Sequence, residues 1–385
     1  MTPDASPDVP TPEQADEQAD ARPWDAAAFR ARVQAALEQF LDTQAERLAP
    51  LGPDADRLVA EARAVVSGGK RFRAAFCWWG HQAVAGAFAE GDAAGQADAA
   101  HEDALVRASA ALELLHASAL VHDDLMDASD TRRGRPATHR GFEAEHRADA
   151  WRGDPEQYGA AAAILLGDLL LSWSDELLRT CGLPTERVAA ALAVLDACRT
   201  EVIAGQFLDV SVQARGRADV DAAMTVLRYK SAKYSIERPL HVGAALAGAD
   251  EAQVHALTGF GLPLGEAFQL RDDLLGVYGD PATTGKPAGD DLVEGKRTVL
   301  VALALDAASE EDAALLDRSL GRPLTDEQVD RLRTIITGAG AAAQVEEVIT
   351  ALADRAVGVL HDSGFDPRAT AVLTELASAA TQRAL

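Results

Sequence analysis

Apolar residues recur at helical spacing from about Asp25 to the C-terminal end of the chain, and no linker long enough to divide them interrupts the pattern. This periodicity excludes most architectures at once. A length of 385 residues alone would admit two or three domains. The unbroken pattern instead predicts an all-α chain, one large helical bundle spanning residues 23–385. Apolar content of 48% is ample for its core, and with aromatics at only 5% the interior falls to alanine and leucine, as close helix packing requires. Residues 1–22 are rich in Pro, Asp, Glu and Gln with little to bury, and read as a disordered acidic tail. Helices are expected over Ala26–Leu48, from a cap at Asp54 to Val66, over His101–Leu125, Tyr158–Arg179, Thr185–Val212, Met224–Ala247 and Ala252–Val277, and in five shorter runs after Lys296. Residues 89–98 read as a small-residue loop and 137–157 as irregular.

Charge is not spread evenly over these helices. The stretch Leu120-Val-His-Asp-Asp-Leu-Met-Asp-Ala-Ser-Asp-Thr-Arg-Arg-Gly-Arg-Pro136 puts Asp123, Asp124 and Asp127 at the end of an apolar helical run. Asp123 and Asp127 are four apart and share a helix face. Three such carboxylates repel one another unless a cation lies between them, and Mg2+ takes a few carboxylates together with substrate phosphates. Arg132 and Arg133 follow in a Gly/Pro-rich loop, and guanidinium forks suit phosphate oxygens. The competing reading is a solvated helix end with a charged turn. A second stretch repeats the design: Phe268-Gln-Leu-Arg-Asp-Asp-Leu-Leu-Gly-Val-Tyr-Gly-Asp280 ends an apolar run on Asp272 and Asp273, with Lys286, Asp290, Asp291 and Lys296 following. Two acidic helix ends facing each other across a cavity can hold a metal cluster with a diphosphate between them.

Basic residues are concentrated. Ser67-Gly-Gly-Lys-Arg-Phe-Arg73 opens a helix with Lys70, Arg71 and Arg73, which makes either an anion site or an ordinary charged turn. His116 lies on the stripe of its helix that leads to the carboxylates, as a satisfied core residue or a ligand. Lys230 and Ser231 can reach a phosphate or form a solvated patch, and Gln206 and Asp209 need polar partners if buried. The net charge of −25 argues against nucleic acid as a partner. Cys77, Cys181 and Cys198 lack CxxC spacing and read as buried thiols in a reducing cytoplasm. Neither a signal peptide nor an apolar run of 18 residues stands out, so no membrane span is expected.

In order and spacing, Gly-Gly-Lys-Arg-x-Arg at 68–73, Leu-Val-His-Asp-Asp-x-x-Asp with Arg-Arg-Gly-x-Pro at 120–136, Gly-Gln at 205–206, Lys-Ser at 230–231 and Phe-Gln-x-x-Asp-Asp at 268–273 resemble the all-trans polyprenyl diphosphate synthases, above all the bacterial geranylgeranyl type. The resemblance covers about residues 30–380. It implies a homodimeric helical bundle of the isoprenoid synthase type around a central cavity. In this reading Asp123, Asp124, Asp127, Asp272 and Asp273 hold three Mg2+. Arg132, Lys230, Gln269 and Lys296 contact an allylic diphosphate, with Ser231 where the family usually has Thr, and Lys70, Arg73, His116 and Arg133 receive isopentenyl diphosphate. The family's second motif normally ends on a third Asp. Here Gly276 stands in that place, which puts one Mg2+ in question, and Asp280 is a candidate substitute through water.

Two other functions compete. A class I terpene cyclase is also helical and Mg2+-dependent, but it has one Asp-rich motif and no use for a second diphosphate site; dependence on isopentenyl diphosphate separates the two. A non-catalytic partner subunit would have lost ligands that this chain keeps, and activity of the chain alone decides. Product length is expected to follow from Ala119, one turn before Asp123, and, by resemblance, from Ser118. Both are small, so a tunnel open beyond C15 is expected, with C20 as the product rather than farnesyl or longer chains. Leu115 or the Trp78–Trp79 pair would close it.

Overall fold

The computed structural model describes residues 24–86, 96–216, 219–279 and 289–382. The acidic tail, Lys286 and Asp280 lie outside them. Helix α1 (Ala26–Leu48) starts where the Asp25 carboxylate accepts the Ala27 and Ala28 N–H groups, and it buries Phe29, Val33, Leu37 and Leu41 at helical spacing. Helix α2 (Pro53–Val66) starts with Pro53 behind Gly52, so Asp54 sits in its first turn and does not cap it. Helix α3 (Phe72–Ala85) follows the basic turn.

Helix α4 (Gln96–Met126) is the axis of the bundle. It begins inside the segment expected to be a loop. Ala, Leu and Val are buried all round it, with Leu105, Ala108, Ala111 and Leu114 fully enclosed. By length and composition its stretch Asp98–Met126 could cross a membrane, contrary to the expectation that no such run exists. In the fold, 78% of that apolar window is packed inside the protein.

A two-residue ladder joins β1 (Thr131–Arg132) to β2 (Arg135–Pro136), turning through Arg133 (φ 53°) and Gly134 (φ 73°). Positive φ at both turn residues matches the twist of a tight hairpin. The segment expected to be irregular holds α5 (Thr138–Ala148). Its buried stripe is Thr138, His139, Phe142, Glu143 and His146, mostly polar residues at helical spacing, and a count of apolar residues alone misses it.

Helix α6 (Pro155–Arg179) packs along α4, α7 (Thr185–Arg215) follows it, and α8 (Val220–Val226) leads into an eleven-residue π-helical segment, Leu227–Glu237, against which α7 packs. Helix α9 (Arg238–Ala247) continues it, so the single helix expected over Met224–Ala247 is widened in its middle. Helix α10 (Glu251–Tyr278) carries the second acidic pair, and the one-turn α11 (Asp290–Glu294) faces it. The remaining helices are α12 (Val299–Ala307), α13 (Glu310–Ser319), α14 (Asp326–Gly338), α15 (Ala341–His361) and α16 (Pro367–Thr381). One apolar cluster surrounds α4; a second joins the end of α10 to α12, α14 and α15. The three cysteines are buried free thiols, and burial pushes Cys77 and Cys198 up to about 12.

Candidate active site

A cavity of about 1320 Å³ opens between the ends of α4 and α10. Its lining includes Lys70, Arg73, His116, Ser118, Ala119, Asp123, Arg132, Arg133, Lys230, Ser231, Gln269, Asp272, Asp273 and Lys296. Residues spread over more than two hundred positions thus meet at one site, and the packing of α4, the π-helical segment and α10 brings them there. Asp124 and Asp127 are not among the lining residues, and both side chains are buried.

At the end of α4 each carboxylate has a cationic neighbour. Asp123 Oδ1 accepts from Lys230 Nζ at 3.0 Å and from Gln206 Nε2 at 2.9 Å. Lys230 also donates to Asp209 Oδ2 at 2.6 Å. Gln206, half-buried, and Asp209, buried, therefore find their partners in this site. Asp124 is buried and accepts from Arg132 Nε at 2.8 Å. Lys296 Nζ lies 3.8 Å from Asp127, 3.1 Å from Asp291 and 2.5 Å from Glu294, so it bridges the two acidic sides. Burial opposes the charge on Asp123, yet Lys230 and Lys296 hold its carboxyl well below the usual carboxylate range. Burial first, and the charge of Asp123 next, push Asp127 the other way. On α10, Gln269 Nε2 donates to Asp273 Oδ1 at 2.8 Å. Burial, with Asp291 and Asp272 close by, pushes Asp273 up to about 8.

Lys230 and Ser231 sit on the π-helical segment, which is clamped from both sides. A Cβ on Gly205 of α7 would lie 2.8 Å from the Lys230 Cα, and one on Gly265 of α10 would lie 2.5 Å from the Ala232 carbonyl oxygen. Only glycine allows both helices this close, and Lys230 on the segment reaches Asp123.

The basic wall forms where the 67–73 turn meets the hairpin. Arg133 Nη1 donates to the Ser67 carbonyl at 3.1 Å, and its guanidinium lies over Gly69. Arg73 Nη2 donates to Ser235 Oγ at 2.8 Å and its guanidinium stacks on Tyr234, whose hydroxyl is 2.9 Å from His116 Nδ1. Arg71 has a different place from its neighbours. It is buried, with a left-handed backbone, and pairs inward with Glu113 at 3.1 Å, so it braces the turn. Burial, and then Arg71 beside it, lower the Arg133 pKa; burial, then Arg73 and Arg133, push His116 well below the usual imidazole range. Crowded, partly desolvated cations of this kind are eased by an anion. Trp78 and Trp79 are buried in the main core beside Phe29 and Trp24 and take no part in the cavity wall, whereas Leu115 does.

Among the described residues no three His, Cys, Asp or Glu side chains converge as a ready metal cluster. The donor set still fits a hard divalent cation: it is all carboxylate oxygen and is delivered from two helices to one cavity. Asp209 and Asp291 also line the cavity, where the sequence alone reads the one as a polar residue in need of a partner and the other as a charge following the second acidic pair. Asp209 had a signal, as a polar residue three positions after Gln206 on an apolar helix.

The family model for polyprenyl synthetase matches residues 56–337. A solved geranylgeranyl pyrophosphate synthase from Corynebacterium glutamicum, complexed with isoprenyl diphosphate and magnesium, superposes with a TM-score of 0.88 at 41% identity, over 94% of this chain and all of that one. A geranylgeranyl diphosphate synthase of Mycobacterium tuberculosis is 34% identical over 318 residues, 82% of this chain and 80% of the relative. A (2E,6E)-farnesyl diphosphate synthase of the same organism is 31% identical over 292 residues, 74% of this chain and 75% of the relative. With two acidic helix ends and a separate basic wall already meeting at one cavity, the match over most of the chain settles the class: the protein belongs to the polyprenyl synthetase family and is a prenyltransferase.

Proposed function

We propose that the protein condenses isopentenyl diphosphate head-to-tail with an allylic diphosphate, with three Mg2+ bound, and that its principal product is the C20 geranylgeranyl diphosphate. The observation that carries this reading is the composition of this one cavity: acidic where α4 faces α10, basic at the 67–73 turn and hairpin, and apolar along α4 below Asp123. Asp123, Asp124, Asp127, Asp272 and Asp273 are the residues that would hold Mg2+, which neutralises charge on the departing diphosphate. Arg132, Lys230, Gln269 and Lys296 bind and orient the allylic diphosphate, and Ser231 sits beside Lys230. As the allylic C–O bond breaks, its electron pair leaves with the diphosphate, and these fixed cations stabilise the charge that develops. Lys70, Arg73, His116 and Arg133 hold isopentenyl diphosphate so that its double bond attacks the allylic cation. The proton then lost passes to the released diphosphate, and no protein base is assigned. Mass analysis of products from the purified chain, Mg2+, isopentenyl diphosphate and each allylic starter tests the reading. A C20 diphosphate is expected, and no elongation, or a cyclised hydrocarbon, refutes it.

Separate cation sets imply separate effects. Arg73→Ala and Arg133→Ala are expected to raise the KM for isopentenyl diphosphate about tenfold or more, the scale of one charge-assisted hydrogen bond. The KM for the allylic substrate should change far less. Steady-state kinetics with each substrate varied in turn is the check, and equal effects on both would show the two sites to be wrongly assigned.

The reading extends to a homodimer. Ile164 and Leu165 on α6 and Ile203, Phe207 and Val210 on α7 are exposed, Phe207 by 74%. Both groups flank the end of α4: the Ile164 carbonyl is 3.2 Å from His122 Nε2, and Gln206 Nε2 is 3.8 Å from Met126 Sδ. Ile203, Phe207 and Val210 also border the cavity; exposed apolar side chains grouped on two neighbouring helices mark an association surface. Sedimentation velocity at micromolar concentration is expected to show twice the 40.5 kDa chain mass. A monomer there would remove this part of the proposal.

A further inference from the structure

Gly276 is four residues after Asp272 and three after Asp273 on α10, so a side chain there would point to the same face as the acidic pair. Instead, another carboxylate has that place. A Cβ added to Gly276 would run into the Asp291 carboxylate, 3.0 Å from Oδ1 and closer still to Oδ2. Asp291 lies fifteen residues further along the chain, on α11, and lines the same cavity with its side chain only 13% exposed.

This placement is built into the backbone. Leu292 next to it is fully buried in the second apolar cluster, and its carbonyl accepts the Gly321 N–H at 3.1 Å. The Asp291 carbonyl accepts the Gly295 and Lys296 N–H groups at 3.1 and 3.0 Å, which closes the turn. Its Oδ1 accepts from Lys296 Nζ at 3.1 Å, and Lys296 reaches across to Asp127 on α4. A side chain on α10 and the observed seat of Asp291 exclude one another.

We propose that Asp291 is the third carboxylate of the second acidic site, delivered by α11 into the space that Gly276 leaves open, where it joins Asp272 and Asp273 in holding a divalent cation. The inference rests on the metal-site reading above and adds a residue to it. It also gives Gly276 a purpose: the glycine keeps the seat clear. Where α10 lacks a third acidic residue, α11 supplies one, an exchange between two elements.

Mn2+ binding to the full-length protein, followed by electron paramagnetic resonance in the presence of inorganic diphosphate, tests this without turnover. Asp291→Asn is expected to weaken the affected Mn2+ by about 10- to 100-fold, with the thermal midpoint close to wild type. Gly276→Asp alone should not tighten binding, since one seat cannot take two carboxylates. The paired exchange Gly276→Asp with Asp291→Ala should recover most of the affinity that Asp291→Ala loses, a result that damage to the fold cannot produce. Wild-type Mn2+ binding by Asp291→Asn while Asp272→Asn loses it would overturn the role of Asp291 and leave the metal site standing. A paired exchange no better than Asp291→Ala would do the same. Wild-type binding in both Asp291→Asn and Asp272→Asn would refute the metal site itself, and the place of Asp291 with it.

Discussion

Asp123→Ala and Asp272→Ala are each expected to give a folded protein whose turnover falls by roughly 10²–10³ or more, the scale of removing one preorganised group that stabilises leaving-group charge. Both residues line the cavity and neither belongs to the apolar core, so the bundle does not depend on them. Their positions differ. Asp123 accepts from both Lys230 and Gln206, so its loss also leaves Gln206 without that partner and loosens Lys230, which faces the allylic diphosphate, although Asp209 still holds Lys230. Asp272 stands on the opposite wall. The Asp123 variant is therefore expected to be the more damaged of the two. Turnover at saturating Mg2+, with circular dichroism to confirm folding, is the measurement. Near-wild-type rates in either variant would sink the assignment of that carboxylate.

Ser118→Phe or Ala119→Phe is expected to change the dominant product from C20 to C15. The growing chain must descend from the acidic end along the apolar wall of α4, and both residues line that wall one turn before Asp123. Ser118 is already 3% exposed, enclosed by its neighbours, so a phenyl ring there has no escape except into the cavity. Overfilling packed space costs about 1–3 kcal/mol, enough to exclude an isoprene unit from the tunnel. Leu115, a further turn down on the same helix, remains as a floor for longer products. Product masses from the wild type and both variants decide the matter. A wild type that stops at C15, or variants that still make C20, would place the floor elsewhere. The likeness to a farnesyl as well as a geranylgeranyl synthase makes this a question for these side chains, because family membership alone leaves it open.

The sequence by itself determined the fold class and the principal acidic and basic motifs. Helical periodicity is local, and a carboxylate pair at the end of an apolar run can be read from a dozen residues, as at Asp123–Asp124 and Asp272–Asp273. Polar residues that build a helix stripe are harder to read: α5 escapes the apolar periodicity because Thr138, His139 and His146 are not apolar. Other decisions belong to tertiary structure, because they depend on which backbones approach. Arg71 reads as one more cation of the turn until the buried Glu113 draws it inward. Trp78 and Trp79 read as a tunnel floor until Trp24 and Phe29 pack on them. Gly205 and Gly265 gain their meaning from the π-helical segment between them, which no local pattern encodes. Gly276 and Asp291 are the clearest case. On the chain one is a missing ligand and the other a charge in a Gly-rich stretch. In space they are one position, because a Cβ on α10 and the carboxylate on α11 would need the same volume.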